Sequence, residues 1–323
     1  MGTPEFAVAS LDSLLNAGYN IVGVVTAPDR PAGRGQEVIC SDIKTYALAK
    51  GLKILQPEKL KEPAFLEELK SLQADLQIVV AFRMLPELVW NMPRLGTINL
   101  HGSLLPQYRG AAPINRAIMN GEKETGVSTF FLQQQIDTGK IIFREKTPIG
   151  PEECAGDLHD RLMTIGAELI VKTIRAIESG DYPQQDQQEF LKSGEILHEA
   201  PKIFKEDCRI NWNANADSIH DFIRGLSPYP AAHSELVSPE GKSFPLKIYK
   251  TLKIAGNPSE PAGAVRTDGK TSIEIAVSGG FILLQEIQLA GKRKMSVADF
   301  LRGFPLDRMW KMSLAPGTPA SGH

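Results

Sequence analysis

Long apolar runs are missing from this chain. No stretch of eighteen apolar residues occurs in it, so no transmembrane helix is expected. No basic region followed by an apolar core opens the sequence, and no secretory signal is visible. Cysteine is scarce: Cys40, Cys154 and Cys208 are odd in number and far apart, which argues against a disulfide framework. No Cys-x-x-Cys or paired histidine spacing points to zinc, so no metal is expected. Thiols used this sparingly place the chain most simply in the cytoplasm. No Gly-x-Gly-x-x-Gly follows a strand pattern, which weighs against a nicotinamide oxidoreductase. Net charge is nearly absent too, at −2, but it is unevenly spread. Residues 201–323 carry 16 Lys and Arg against 12 Asp and Glu, whereas residues 1–200 carry 20 against 26. A basic C-terminal part hints at an anionic partner, and ordinary surface scatter is an equally weighted alternative.

What is present suffices for two domains, since 323 residues exceed what one core usually serves. The first half alternates helix and strand patterns. Residues 7–17, 42–50, 62–72 and 112–120 read as helices, with Ser41 or Asp42 as a cap and Pro63 in a first turn. Residues 21–26, 76–81 and 96–100 read as apolar strands, and residues 127–133 and 141–146 as strands that could pair. Leu158, Leu162, Ile165, Leu169, Ile170, Ile174 and Ile177 mark a long amphipathic helix. Apolar strands between helices predict an α/β domain with a mostly parallel sheet covered on both faces. This domain is expected over residues 1–180. Residues 181–200, rich in Gln, Asp and Glu, read as a linker. Residues 201–312 hold one short helix at 214–225 and then strands at 244–249, 262–266, 271–277 and 281–289 between turn residues, which predicts a small β-barrel. Trp212 and Trp310 are expected to anchor its packing. Residues 313–323 read as a disordered tail. A sheet of this kind wants a strand before its first helix, yet Met1 to Phe6 read as a loop, so the natural protein is expected to begin upstream of Met1.

The most informative stretch runs from Asn99 to Pro113, Asn-Leu-His-Gly-Ser-Leu-Leu-Pro-Gln-Tyr-Arg-Gly-Ala-Ala-Pro. It leaves a strand and enters a helix. Asn99 and His101 are two residues apart, so on a strand their side chains share one face. Downstream, Ile136-Asp137-Thr138-Gly139 offers a carboxylate, expected at a strand end. An amide, an imidazole and a carboxylate brought together suit transfer of an acyl-type group to an amine. Amide and imidazolium donors stabilise the developing oxyanion, and the carboxylate takes the proton or keeps the imidazole charged. The plainer alternative is an Asn/His pair closing a strand end, with Asp137 as a turn former. On spacing alone that alternative holds the larger weight.

Two basic features stand apart. Pro28-Asp29-Arg30-Pro31-Ala32-Gly33-Arg34-Gly35 follows a strand as a long loop, so Arg30 and Arg34 could grip phosphates or simply be solvated. Lys292, Arg293 and Lys294 could contact phosphates, although a three-residue charge run is more often plain surface.

These residues resemble the methionyl-tRNA formyltransferase family across nearly the whole chain. The resemblance rests on Gly-Thr-Pro-Glu-Phe-Ala at 2–7, Pro-Asp-Arg-Pro-Ala-Gly-Arg-Gly at 28–35, the stretch from Met92 to Ile114, Glu-Thr-Gly-Val-Ser at 124–128, Ile-Asp-Thr-Gly at 136–139 and the stretch from Ala290 to Gly303. The segment around His101 alone would indicate only the wider formyltransferase superfamily. The resemblance implies a Rossmann-like domain followed by a C-terminal barrel similar to an oligonucleotide-binding fold. It implies formyl transfer from 10-formyltetrahydrofolate to the amino group of methionyl-initiator tRNA. Asn99, His101 and Asp137 are then catalytic, and Ser103, Leu104, Leu105 and Pro106 line the folate site. Arg30, Arg34 and the Lys292, Arg293 and Lys294 run meet the tRNA. No obligate protein partner is evident. The chain departs from the family at Ala81-Phe82-Arg83-Met84-Leu85-Pro86, where many members carry Ala-Tyr-Gly in a turn one residue longer that should border the pterin pocket. An amino-sugar nucleotide formyltransferase with the same three residues is the alternative enzyme, and an RNA-binding chain with a vestigial pocket the non-enzymatic one.

Overall fold

The computed structural model describes residues 1–32, 37–191 and 194–314. The chain divides into two compact units. The first comprises Met1–Pro113, Thr125–Thr147 and Asp160–Ala200, and the second Ile114–Glu124, Pro148–His159 and Pro201–His323.

The elements of the first part of the chain are α1 (Glu5–Asn16), β1 (Val24–Val25), β2 (Arg30–Ala32), β3 (Glu37–Ile39), α2 (Asp42–Ala49), β4 (Ile54–Leu55), α3 (Pro63–Ser71), β5 (Gln77–Val80), α4 (Glu87–Trp90), β6 (Thr97–His101), β7 (Arg109–Gly110), α5 (Pro113–Met119), β8 (Glu124–Phe131), β9 (Ile141–Pro148), α6 (Ala155–Ser179) and β10 (Glu199–Ala200). Local chemistry sets their ends. The Ser41 hydroxyl accepts the Lys44 N–H at 3.3 Å, capping α2. Pro63 opens α3, where a missing N–H costs nothing.

Strand β5 runs parallel to β6, and β6 antiparallel to β8, with β9 outside β8. β1 pairs in parallel with β4. Met1 and Gly2 lie between these two groups: Gly2 N–H donates to Val25 O at 3.1 Å, and Val80 N–H donates to Met1 O at 3.0 Å. The place of a strand ahead of α1 is thus held, over this short length, by the first residues themselves. Val25, Leu55, Val79 and Val89 form one core cluster beside this sheet. On α6, Leu162, Leu169, Ile170 and Ile174 are buried as the periodicity requires. A cleft lined by Leu14, Val22, Val24, Leu69 and Ile78 opens along β1 and β5, and none of Asn99, His101 and Asp137 lines it.

The departure at residues 81–86 is a turn with Ala81 at φ +46° and Leu85 buried. Its arginine is tied back, since Arg83 donates to Glu58 O at 2.8 Å and also to Pro57 O.

Residues 181–200 differ from an open linker. They pack within the first unit: Gln185 and Ile141 exchange both backbone hydrogen bonds, at 2.9 and 3.1 Å, and β10 pairs in parallel with β7. The buried Gln187 side chain bonds main chain, and composition alone does not single it out.

In the second unit, α7 (Ala216–Gly225) precedes β11 (Ala232–Val237), β12 (Ser243–Ala255), β13 (Val265–Thr267), β14 (Ile273–Val277), β15 (Gly280–Leu289), β16 (Met295–Ser296), α8 (Val297–Gly303) and β17 (Lys311–Met312). The strand order is β13-β14-β15-β12-β11-β17, with β16 on β15. Met312 N–H donates to Gly263 O at 2.7 Å and Val265 N–H to Trp310 O at 3.3 Å, so the two ends of the path meet and the antiparallel sheet nearly closes into a barrel. Ile210, Trp212, Ile219, Ile248, Ile275, Ile282 and Ile287 fill it. Trp212 is fully buried, and its indole N–H reaches the Ser234 hydroxyl at 2.9 Å, so its polar edge is satisfied as its apolar body is buried. Trp310 instead packs with Phe244 and Phe304 at the side of this core. Ser313, the first residue of the expected tail, is bonded to β11: its N–H donates to Glu235 O at 2.8 Å. Residues 315–323 lie outside the described residues.

Candidate active site

The candidate site grows out of β6 and the segment after it. Alternation puts Thr97, Asn99 and His101 on one face and Ile98 and Leu100 on the other. The second face is covered by α6. A Cβ built on Gly166 would come within 2.8 Å of Leu100 Cδ2, so helix and strand meet there at close range. Asn99 and His101 therefore stand on the opposite face, with Asn99 in register with Val79 on one side and Phe130 on the other. The half-buried Asn99 carboxamide makes no hydrogen bond to another described residue, which leaves its donors available.

His101 is 6% exposed. Its Nε2 lies 2.8 Å from Tyr108 O. A carbonyl only accepts, so Nε2 carries the proton. Nδ1 lies 3.8 Å from Asp137 Oδ2, too far for a hydrogen bond. Asp137 is 8% exposed, at φ +52°, and its Oδ2 accepts the Gly110 N–H at 3.0 Å. The carboxylate is held by main chain from the same short segment whose Tyr108 carbonyl holds the imidazole. Asp137 sits in the turn between β8 and β9 rather than at the end of a strand.

Two glycines make this approach possible. Gly110 has φ +123°, and a Cβ there would lie 2.5 Å from Ala200 O. A Cβ on Gly139 would lie 1.7 Å from Phe131 O. Either side chain would force apart the backbones that carry the site.

The segment after His101 is committed to internal bonds. Ser103 donates its hydroxyl to Gln107 O at 2.6 Å. Ser128 donates to Ser103 O at 2.7 Å and accepts the Leu105 N–H at 3.1 Å. Arg144 donates to Leu105 O at 3.0 Å and lies over the Phe190 ring. Ser103, Leu105 and Pro106 are buried and Leu104 is half-buried. This segment is a braced turn that can offer a ligand apolar surface more readily than free polar groups.

The basic candidates lie elsewhere in the chain. Arg30 belongs to β2, with its side chain outside the described residues, as Arg34 is altogether. Lys292, Arg293 and Lys294 are exposed. Lys294 pairs with Glu286 at 2.9 Å and lies over the Tyr249 ring, and Glu286 raises its pKa. Among the described residues no group of three or more His, Cys, Asp and Glu side chains could hold a metal ion.

Sequence reasoning missed Arg109 and Gln187. Gln187 is 4% exposed and bonds both the Asp137 turn and Arg109. Nothing in the local sequence marks it, because its partners are distant in the chain.

The arrangement can do acyl-transfer chemistry. It offers an amide donor, an imidazole with Nδ1 free of hydrogen bonds, and an oriented carboxylate, with ring and acid both shielded from water, where electrostatic effects are strong.

Known proteins are similar to this chain along most of its length. A family model described as "Formyl transferase" matches residues 1–174, and one described as "Formyl transferase, C-terminal domain" matches residues 202–305. A methionyl-tRNA formyltransferase of Parabacteroides distasonis is 56% identical over 305 residues, 94% of each chain. That of Flavobacterium johnsoniae is 50% identical over 303 residues, again 94% of each. Among solved structures, the sugar 3N-formyl transferase WlaRD, with dTDP and 5-N-formyl-THF, superposes with a TM-score of 0.59 at 21% identity, covering 90% of this chain and 97% of that one. HypX from Aquifex aeolicus in complex with tetrahydrofolic acid superposes with a TM-score of 0.56 at 17% identity over 79% of this chain and 43% of that one. These two likenesses show the fold.

Proposed function

This chain belongs to the methionyl-tRNA formyltransferase family, and from that membership we propose that it moves the formyl group of 10-formyltetrahydrofolate onto the amino group of methionyl-initiator tRNA, giving N-formylmethionyl-tRNA. It is a formyl-transferring enzyme. The observation that carries this reading is the 56% identity with a methionyl-tRNA formyltransferase over 94% of both chains.

The methionyl amine attacks the formyl carbon, and a tetrahedral intermediate with one negative oxygen forms. Asn99 NH₂ and a charged His101 donate to that oxygen. Donors of this kind contribute about 3–4 kcal/mol each when preorganised. Asp137 keeps the imidazole charged and helps take the proton that the amine loses. The bond from the formyl carbon to N10 of the folate then breaks, and that nitrogen gains a proton. Support for these roles comes from the shared face of Asn99 and His101 and the 3.8 Å approach of Asp137 to the ring.

Ser103, Leu104, Leu105 and Pro106 border the folate in this reading, mainly through apolar contact. Arg30, Arg34, Lys292, Arg293 and Lys294 meet tRNA phosphates, whose contacts dominate nucleic-acid affinity. The cytoplasm is the proposed location, on three cysteines that are all free thiols. The test is a formylation assay of the purified protein with 10-formyltetrahydrofolate and either charged initiator tRNA or an amino-sugar nucleotide. Product on the tRNA is expected, and product on the sugar alone would overturn the reading.

A further inference from the structure

Gln187 uses the whole hydrogen-bonding capacity of its side chain. Its Nε2 donates to Asp137 O at 2.7 Å and to Gly139 O at 2.9 Å. Its Oε1 accepts from Arg109 Nε at 3.0 Å and Nη2 at 2.6 Å. Two donated and two accepted bonds saturate a carboxamide. The orientation is unambiguous, because carbonyls only accept and a guanidinium only donates.

The partners are the informative part. Asp137 and Gly139 flank the turn that carries the carboxylate, and Asp137 lies at φ +52°, a region a residue other than glycine enters at a cost. Arg109 sits between Tyr108, whose carbonyl holds the His101 ring, and Gly110, whose N–H holds the Asp137 carboxylate. One side chain therefore fastens the backbone on both sides of the His101–Asp137 pair.

Gln187 is itself held. It opens a short 3-10 helix, Gln187–Phe190, behind a reciprocal capping pair of Asp186 and Glu189. The preceding Gln185 is bonded to Ile141 at the start of β9.

We propose that Gln187 is a positioning residue for formyl transfer, fixing the Asp137 turn against the His101 ring through a clamp shared with Arg109. The proposal rests on the reading of Asp137 as a catalytic group. Gln187 touches no reacting atom. It acts on the separation and angle between imidazole and carboxylate, to which rate is steeply sensitive.

The test uses Gln187→Glu and Gln187→Met, each made in the parent chain and in an Asp137→Asn background, and follows kcat and KM with charged initiator tRNA and 10-formyltetrahydrofolate. Glutamate keeps the volume and the Arg109 bonds but turns an acceptor toward the Asp137 and Gly139 carbonyls. Methionine keeps the shape and loses every bond. Both are expected to lower kcat about 10- to 100-fold, with KM for either substrate nearly unchanged. In the Asp137→Asn background neither is expected to lower kcat further, because nothing remains to be positioned. A Glu variant with parental kcat, a loss confined to KM, or the same fold loss in both backgrounds would overturn the proposal. Should Gln187→Met fail to fold, the near-isosteric Glu variant decides alone. If Asp137→Asn by itself kept parental turnover, the reading of Asp137 would fall first and this inference with it, in an arm separate from the Gln187 variants.

Discussion

His101 donates its Nε2 proton to the Tyr108 carbonyl at 2.8 Å, and that single bond turns Nδ1 toward Asp137, 3.8 Å away. A histidine seven residues before its carbonyl partner closes a tight loop over the end of β6. The ring is locked by main chain, so no side-chain partner competes for Nδ1. The Asp137 carboxylate faces that nitrogen, and this relationship organises the rest of the site.

Asp137→Asn removes the charge but keeps an oxygen to accept the Gly110 N–H, now made at 3.0 Å. The fold should survive and catalysis should not. We expect kcat to fall about 10²- to 10⁴-fold, the usual range for a lost acid–base partner, with the melting temperature little changed. Steady-state formylation and a thermal melt of the same preparation check both halves.

Asn99→Ala removes an amide that has no other partner among the described residues, so little structural cost accompanies the loss. A single oxyanion donor carries about 10²- to 10³-fold in kcat. Substrate affinity should change much less, because the oxygen becomes charged only as the tetrahedral intermediate forms. A variant that raised KM and left kcat alone would mark Asn99 as a binding residue instead.

Much of this site was legible in the sequence, for reasons that also explain what was not. Asn99 and His101 on one face follow from strand alternation, and the long helix over Leu158 to Ile177 follows from its apolar period. Asp137 is readable as a carboxylate and as a turn former, but its left-handed backbone and its bond from Gln187, fifty positions later, are not. The polar stretch around Gln187 reads as a linker from its Gln, Asp and Glu content, yet the Gln187 side chain bonds the Asp137 and Gly139 carbonyls. Strand β11 escaped notice for a related reason: Ala232, Ser234 and Leu236 alternate inward, but the buried Ser234 breaks the apolar pattern, and its burial depends on the Trp212 indole.

Gly110→Ala tests the packing of β7 against β10. The residue has φ +123°, and the added Cβ would meet Ala200 O at 2.5 Å. The backbone must shift, at a cost of about 1–3 kcal/mol for a strained position of this kind. Because Gly110 N–H holds Asp137, kcat should fall along with stability. Urea unfolding and formylation measured on one sample would show the two losses together, and an unperturbed Ala variant would refute the close approach.

His220 provides a pH-dependent stability. It is buried, with Nδ1 3.0 Å from Thr251 Oγ1. Burial holds its pKa below the ordinary histidine value, with Glu152 opposing from 3.6 Å. The folded chain therefore keeps His220 neutral where the unfolded chain protonates it. Its stabilisation is complete above the ordinary histidine value of about 6.5 and is lost as pH falls below it toward the folded value. In denaturant titrations at about pH 7.5 and 5.5, the parent should lose more stability than His220→Gln. Parallel behaviour of the two proteins would count against a neutral buried ring.

The most direct measurement is single-turnover formylation of charged initiator tRNA by His101→Ala, with tRNA binding measured on the same protein. The account predicts tRNA affinity close to the parent's and a rate lower by about 10²-fold or more. A rate near the parent's would contradict it, because the transfer would then proceed without the imidazole that Asp137 faces.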